Sequence, residues 1–161
     1  MKMKLFAAVL VSASLVFGCG GDEEEENVDV EGCEHLQEGP ATAVTATATQ
    51  ASAPAVKDDH RRYDVTLVDV TGGKGGSVTF AAAEEVDYVV FTSADVPVSV
   101  TDANGQAVAI EASAKSSTQC TEIKGRHTIP MKVGTHTLTF GPTTQTSVSL
   151  VIEPAAHDHE D

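Results

Sequence analysis

Histidines are the side chains in this 161-residue sequence with the clearest capacity for chemistry, because imidazole is the commonest protein ligand for zinc and copper. The chain has six: His35, His60, His127, His136, His157 and His159. His35 follows Cys33 by two residues, and His127 follows Cys120 by seven. A bond between these two cysteines would therefore bring both histidines close together in space.

A zinc or copper site is one hypothesis that these positions support. We expect it to consist of His35, His60 and His127, with Asp59 or Glu34 completing the coordination. The alternative is a set of ordinary surface histidines at strand ends. Neither an HExxH nor a CxxC spacing is present to strengthen the metal hypothesis.

The remaining histidines point to other roles. His136 alternates with Leu138 and Phe140, which predicts a packing residue on a half-buried strand. Residues 155–161 are rich in histidine and acidic side chains and predict a solvated tail, with weak metal binding as the alternative.

Motifs for catalysis are missing from the sequence. No Gly-x-Ser-x-Gly elbow is present, and the glycine-rich run at residues 71–77 lacks the spacing of a phosphate-binding loop. A hydrolytic pair of carboxylates stays open as an alternative without support. We therefore expect a protein that is not an enzyme.

The first eighteen residues have the build of an export signal. Lys2 and Lys4 precede an apolar run at residues 5–17, and the small residue Gly18 follows. The run is shorter than the roughly 20 residues that a transmembrane helix needs. A buried N-terminal helix is the alternative.

The residues Leu15-Val16-Phe17-Gly18-Cys19 (LVFGC) resemble the lipobox of bacterial lipoproteins. The resemblance implies cleavage before Cys19 and attachment of lipid to that residue, which would anchor the protein to a membrane. Gly20 replaces the aspartate that often retains lipoproteins in the inner membrane, so we expect the outer membrane, facing the periplasm or the cell surface. The mature sequence also resembles small proteobacterial lipoproteins, a likeness that implies no activity.

Two cysteines remain if Cys19 carries lipid. An even pair in an exported protein predicts a disulfide between Cys33 and Cys120. Such a bond would stabilise the fold by about 4 kcal/mol in the chain-entropy model. Two free thiols or two metal thiolates are the alternatives.

Acidic residues dominate the charge of the chain. Residues 19–32 include five consecutive acids and predict an extended tether, with a cation-binding or partner-binding segment as the alternative. Removing residues 1–18 removes two lysines and no acids, so the formal charge changes from −14 to −16. This charge argues against nucleic acid as a partner, because phosphate binding needs clustered Lys and Arg.

Short β-strands are predicted through most of residues 33–154. Alternating segments such as YDVTL, the apolar run YVVF and frequent turn signals give about eight or nine strands. Residues 40–56 predict an edge strand, with a low-complexity linker as the alternative. Residues 71–76 predict a flexible connector, and residues 120–131 a strand. No helix is expected after the signal. The pattern indicates an all-β fold, an antiparallel β-sandwich of immunoglobulin-like or jelly-roll-like type.

The segment from Ser77 to Ile152 resembles the β-sandwich modules of the prepeptidase C-terminal type found after secreted bacterial peptidases. The likeness rests on VTFAAAEEVDYVVFTSADVPVSVTDANG and on VGTHTLTFG, which has His136 where an aromatic residue is usual. It implies a β-sandwich. Our first functional expectation is a lipid-anchored, exported protein with one non-catalytic binding or structural domain, whose partner is a protein or a glycan. The second is a lipoprotein that binds or buffers zinc or copper.

Overall fold

A computed structural model of the chain describes residues 27–155. The predicted signal peptide, Cys19, residues 20–26 of the predicted tether and residues 156–161 of the predicted tail lie outside this range. Within it, the chain forms one α-helix, α1 (Val28–Glu38), a 3-10 turn at Gln50–Ser52 and twelve β-strands. The predicted all-β sandwich is confirmed, with more strands than the eight or nine expected.

Two sheets of six strands each make up the sandwich. The first sheet has, from edge to edge, the strands β1 (Ala41–Thr45), β3 (Arg62–Thr66), β12 (Ser147–Pro154), β6 (Val86–Thr92), β10 (Gly125–Met131) and β9 (Ala112–Ala114). The second sheet has β2 (Ala55–Val56), β5 (Gly73–Ala82), β11 (Gly134–Thr143), β7 (Val98–Thr101) and β8 (Ala107–Val108), and β4 (Val68–Val70) also pairs with β5.

Both sheets are mixed, a detail that the prediction of an antiparallel sandwich did not include. β1 lies parallel to β3, β2 lies parallel to β5, and the other strand pairs are antiparallel. The Ala- and Thr-rich segment does supply the predicted edge strand, as β1. Its parallel pairing depends on a partner about twenty residues away, which local alternation does not reveal.

Apolar side chains from both sheets fill the space between them. In β6, the alternation of a pleated strand places Tyr88 and Val90 in this core, and Val89 and Phe91 on the opposite face. All four are buried, because the outer face of the first sheet is covered as well. This explains why YVVF reads as a continuous apolar run.

Helix α1 covers that outer face, mainly over β12. It begins after Asn27, whose side chain accepts a hydrogen bond from the Asp29 backbone N–H at 3.0 Å. The helix contradicts the expectation of no helix after the signal, and it includes residues 28–32 of the predicted tether. Among residues 27–155, no helix has the length and apolar character that crossing a membrane requires.

Two further segments differ from prediction. The predicted connector at residues 71–76 is largely strand, because β5 begins at Gly73. A Cβ at Gly75 would lie 2.5 Å from the Phe140 carbonyl oxygen, so the glycine allows β11 to approach closely. The predicted strand at residues 120–131 begins only at Gly125, after a loop that packs beside α1.

Candidate functional site

The sheet-facing side of α1 is narrow. Val28, Gly32 and Leu36 recur every four residues and therefore share one face of the helix. Gly32 and Leu36 are buried, and a Cβ at Gly32 would overlap the Phe91 ring. The glycine thus lets the helix backbone approach β6 directly.

A second side of α1 faces the loop at residues 115–124 and the start of β10. Asp29 accepts hydrogen bonds from Ser117 Oγ at 2.6 Å and from Arg126 Nε at 2.7 Å. One turn further on, Cys33 is bonded to Cys120, and Gln37 Nε2 then donates to Glu122 at 2.9 Å. Hydrogen bonds and the disulfide therefore connect this side of the helix to the neighbouring loop and strand from its first turn to its last.

The predicted disulfide between Cys33 and Cys120 is confirmed. The Cα atoms are 5.6 Å apart, and the bond closes a sequence separation of 87 residues. Glu122 lies near both sulfurs. Because the sulfurs are bonded to each other, they are not thiolate ligands for a metal.

The third side of α1 carries the candidate metal centre. Glu31 and His35 are one turn apart, and they meet His60 from the loop before β3 and Glu153 from β12. One ligand atom from each of these four residues lies within 4.8 Å of the other three. The described part of the chain thus brings two imidazoles and two carboxylates together.

The individual distances are short. His35 Nδ1 lies 2.6 Å from Glu153 Oε1. His60 Nδ1 lies 3.4 Å from Glu31 Oε1 and 3.6 Å from Glu153 Oε2. Ligands held on a tetrahedral zinc ion at 2.0–2.1 Å would be about 3.3 Å apart. The two distances from His60 Nδ1 are close to that value, and the distance between His35 and Glu153 is shorter, as in a direct hydrogen bond.

Glu153 is the most deeply buried member of this cluster. Its side chain is fully buried, and its Oε2 has no hydrogen-bond partner among residues 27–155. Burial and then the negative charge of Glu31 raise the pKa of Glu153 to about 8. The nearby His60 acts in the opposite direction. A buried carboxylate with an unsatisfied oxygen is costly unless a cation or donor reaches it.

His60 is the open side of the cluster. Its side chain is 60% exposed, against 15% for His35 and 16% for Glu31. Its φ of 53° is in the left-handed region, where non-glycine residues are uncommon and carry strain. An ion can therefore approach the cluster from the His60 side, while the other three residues form its walls.

His127, the third predicted ligand, is not part of this cluster. It lies on β10, where its Nδ1 is 2.9 Å from Ser113 Oγ. Burial lowers the pKa of His127, with only the charge of Asp95 opposing the shift. The prediction assumed that His127 would stay near Cys120, but the chain turns into β10 at Gly125 and carries the histidine away.

The two acids predicted to complete the site are also elsewhere. Asp59 accepts hydrogen bonds from the Tyr63 hydroxyl at 3.0 Å and from Arg61 Nε at 3.1 Å. Glu34 is exposed on the outer side of the helix. His136, predicted as a packing residue, is 3% exposed, and its Nδ1 lies 3.1 Å from the Gly134 carbonyl oxygen.

Glu31 and Glu153 are the residues that sequence reasoning missed. Glu31 stands four residues before His35, a spacing that places both on one side of a helix, but no helix was expected there. Glu153 follows the apolar run Leu150-Val151-Ile152. An acid in a strand whose two faces are both apolar is the signal that could have identified it.

No protein-family model matches this chain, and no curated protein sequence matches it either. The candidate function therefore rests on the geometry of the four side chains and on the N-terminal sequence.

Proposed function

We propose that this protein is an exported, lipid-anchored β-sandwich protein that binds one divalent transition metal ion, zinc or copper(II), through Glu31, His35, His60 and Glu153. The observation that carries the proposal is the meeting of these four side chains within 4.8 Å. The buried, unsatisfied oxygen of Glu153 supports it independently, because a bound cation would satisfy this oxygen.

The donor set favours particular ions. Imidazole suits zinc and copper, and the two carboxylates would balance the charge of a divalent cation. Thiolate and thioether ligands, which select copper(I), are absent from the cluster. Zinc is the first expectation, because four nitrogen and oxygen ligands near tetrahedral spacing match its preferred coordination.

Binding or buffering fits the site better than catalysis. Four protein ligands would fill a tetrahedral shell, whereas catalytic zinc sites keep one position open for water or substrate. The exposed His60 gives an ion a path in and out. The sandwich domain then acts as a non-catalytic carrier of the ion, close to the membrane that the lipid on Cys19 would reach.

A chelator competition experiment tests the metal site. We expect the full-length chain, purified in detergent, to take one zinc ion per molecule from a chromogenic chelator. Glu153→Gln should lose this binding, since an amide cannot supply the buried charge. His127→Ala should retain it, because His127 lies outside the cluster.

Two results would overturn the proposal. One is an absence of stoichiometric zinc or copper binding by the unaltered chain. The other is equal binding by the unaltered chain and Glu153→Gln, which would place the ion elsewhere, for example on the acidic tail.

The lipid anchor is tested by mass spectrometry of the protein extracted from membranes. The expected mature form begins at Cys19 and carries lipid on that residue. A mature chain that begins elsewhere and carries no lipid would contradict it.

A further inference from the structure

Helix α1 carries two of the four candidate ligands, so the metal site can exist only while the helix stays on the sheet. Glu31 and His35 are on one side of the helix, and Cys33 lies between them in sequence, about 200° around the axis from each at 3.6 residues per turn. The disulfide and the metal site therefore hold opposite sides of the same short helix.

The apolar contact of this helix is small. The outer cluster has six buried members: Leu36, Val89, Phe91, Cys120, Ile123 and Val151. Of the side chains that α1 contributes to this cluster, only Leu36 is buried, and Val28 and Cys33 are partly buried beside it. An isolated helix of eleven residues is marginal in water. The position of the helix on the sheet therefore depends strongly on its specific contacts, which are its hydrogen bonds and the covalent disulfide.

We infer that the Cys33–Cys120 disulfide sets the metal affinity of the site, so that its reduction weakens metal binding and bound metal in turn protects the disulfide. This inference rests on the proposed metal site. The disulfide and the metal ion would both order α1, so the formation of one favours the other. The coupling free energy is the same in both directions. The disulfide orders α1 before the ion arrives, so the ion no longer loses affinity to ordering the helix.

The reductant that fits is a dithiol. Cys33 is half-buried, whereas Cys120 is 3% exposed, so we expect the reductant to reach Cys33 first. A thiolate of the dithiol attacks Cys33 Sγ, the bond to Cys120 breaks, and Cys120 leaves as a thiolate that takes up a proton. The second thiol of the reductant then displaces Cys33, which is also protonated, and the reductant ends as a disulfide.

Replacing both cysteines by serine tests the first direction of the coupling. In a full-length Cys33→Ser, Cys120→Ser double variant, serine removes the bond without leaving thiols that bind zinc. We expect its zinc dissociation constant to rise by about 10-fold or more, within the usual range of allosteric coupling. An unchanged dissociation constant would overturn the inference. A failure of the unaltered chain to bind zinc would instead overturn the proposed function.

The second direction needs no cysteine variant and therefore does not depend on the folding of one. The rate at which a phosphine reduces the disulfide is measured in the full-length chain with and without zinc, by trapping free thiols. We expect zinc to slow the reduction in the unaltered chain but not in His35→Ala, which cannot complete the site. Equal slowing in both chains, or no slowing in either, would overturn the inference.

Discussion

The first sheet buries its two faces in different ways. On its inner face, the central strands β6 and β12 contribute buried apolar side chains, among them Tyr88, Val90, Leu150 and Ile152, and no buried acid. On its outer face, the same two strands contribute three buried apolar residues and one buried acid: Val89, Phe91, Val151 and Glu153. An entire second sheet covers the inner face, whereas one helix and one loop cover the outer face.

This difference separates two ways of holding a layer in place. The inner layer, which is the core between the two sheets, is stabilised by the removal of apolar surface from water. This surface is spread over many residues. The outer layer, which is α1 and the loop at residues 115–124, is stabilised by a few specific contacts. These contacts lie on either side of α1 and include the disulfide and the hydrogen bonds of Asp29. Removing one inner residue should therefore weaken the whole domain, whereas removing one outer contact should loosen the helix alone.

Leu150→Ala should have the largest effect. The side chain is fully buried between the sheets, and truncation of such a leucine costs about 2–5 kcal/mol. Denaturant unfolding would measure the loss in the free energy of unfolding, with the exposed Ser147→Ala on the same strand as control. A loss no larger than that of the control would contradict the description of the inner face as the main source of stability.

Glu153 should give the metal-free protein a pH dependence of stability. Its pKa is about 8 in the folded state against an ordinary 4.5, so between these values the folded state holds a proton that the unfolded state has released. Stability should therefore fall as pH rises from about 4.5 to 8, by at most about 1.4 kcal/mol per pH unit. Glu153→Gln should flatten this decline.

Denaturant unfolding at several pH values, with a chelator present, checks this expectation. The relevant quantity is the difference in slope between the two chains, since other groups titrate in both. Parallel curves for the unaltered chain and Glu153→Gln would mean that the carboxyl is not held protonated by its surroundings.

Gly32→Ala should loosen the outer layer. The added methyl group overlaps the buried Phe91 ring, and overpacking of this kind costs about 1–3 kcal/mol. Alanine favours a helix over glycine by about 1 kcal/mol, which offsets part of the cost. Hydrogen exchange of the α1 amides should become faster, while exchange in β11 should not. Glu34→Ala, at an exposed position of the same helix, is the matched control.

Asp29→Asn should have the smallest effect. It removes the ionic part of the contact with Arg126, and such partly exposed pairs contribute about 1 kcal/mol or less. The change should again appear in hydrogen exchange of α1. Asp95→Asn, which breaks the far more exposed pair with Lys115, should leave both stability and exchange unchanged. A larger effect at Asp95 than at Asp29 would reverse the expected ranking.

The strands that form the inner layer could be predicted from the sequence, because the alternation of apolar and polar residues is a local pattern. Alternation in segments such as Thr135–Phe140 identifies strands directly, and the outward or inward position of each residue follows from the period of two. The disulfide was also predictable, from the two cysteines that remain once Cys19 is set aside as the predicted site of lipidation. What alternation does not carry is the partner of each strand, so the parallel pairings of β1 and β2 were missed.

The outer layer was harder to predict for a physical reason. A helix with one narrow apolar stripe, a glycine in its middle and an acidic run before it has a weak periodic signal. Without that helix, nothing in the sequence indicates that Glu31 and His35 lie on the same side of one element. The histidines then look unrelated to any acid. His35 and His60 do lie near each other, as the prediction required, but Glu153 is revealed only by the three-dimensional position of β12 beneath the helix.

The position of Glu153 also has a consequence for the lifetime of the protein in a cell. Proteases act on chains that open, and the open population rises about tenfold for each 1.4 kcal/mol of lost stability. If the site binds a cation as proposed, the buried carboxylate would destabilise the empty domain more than the loaded one and would make empty copies the better protease substrates. Under the proposed function, the abundance of the protein would then follow the supply of metal without any change in its synthesis.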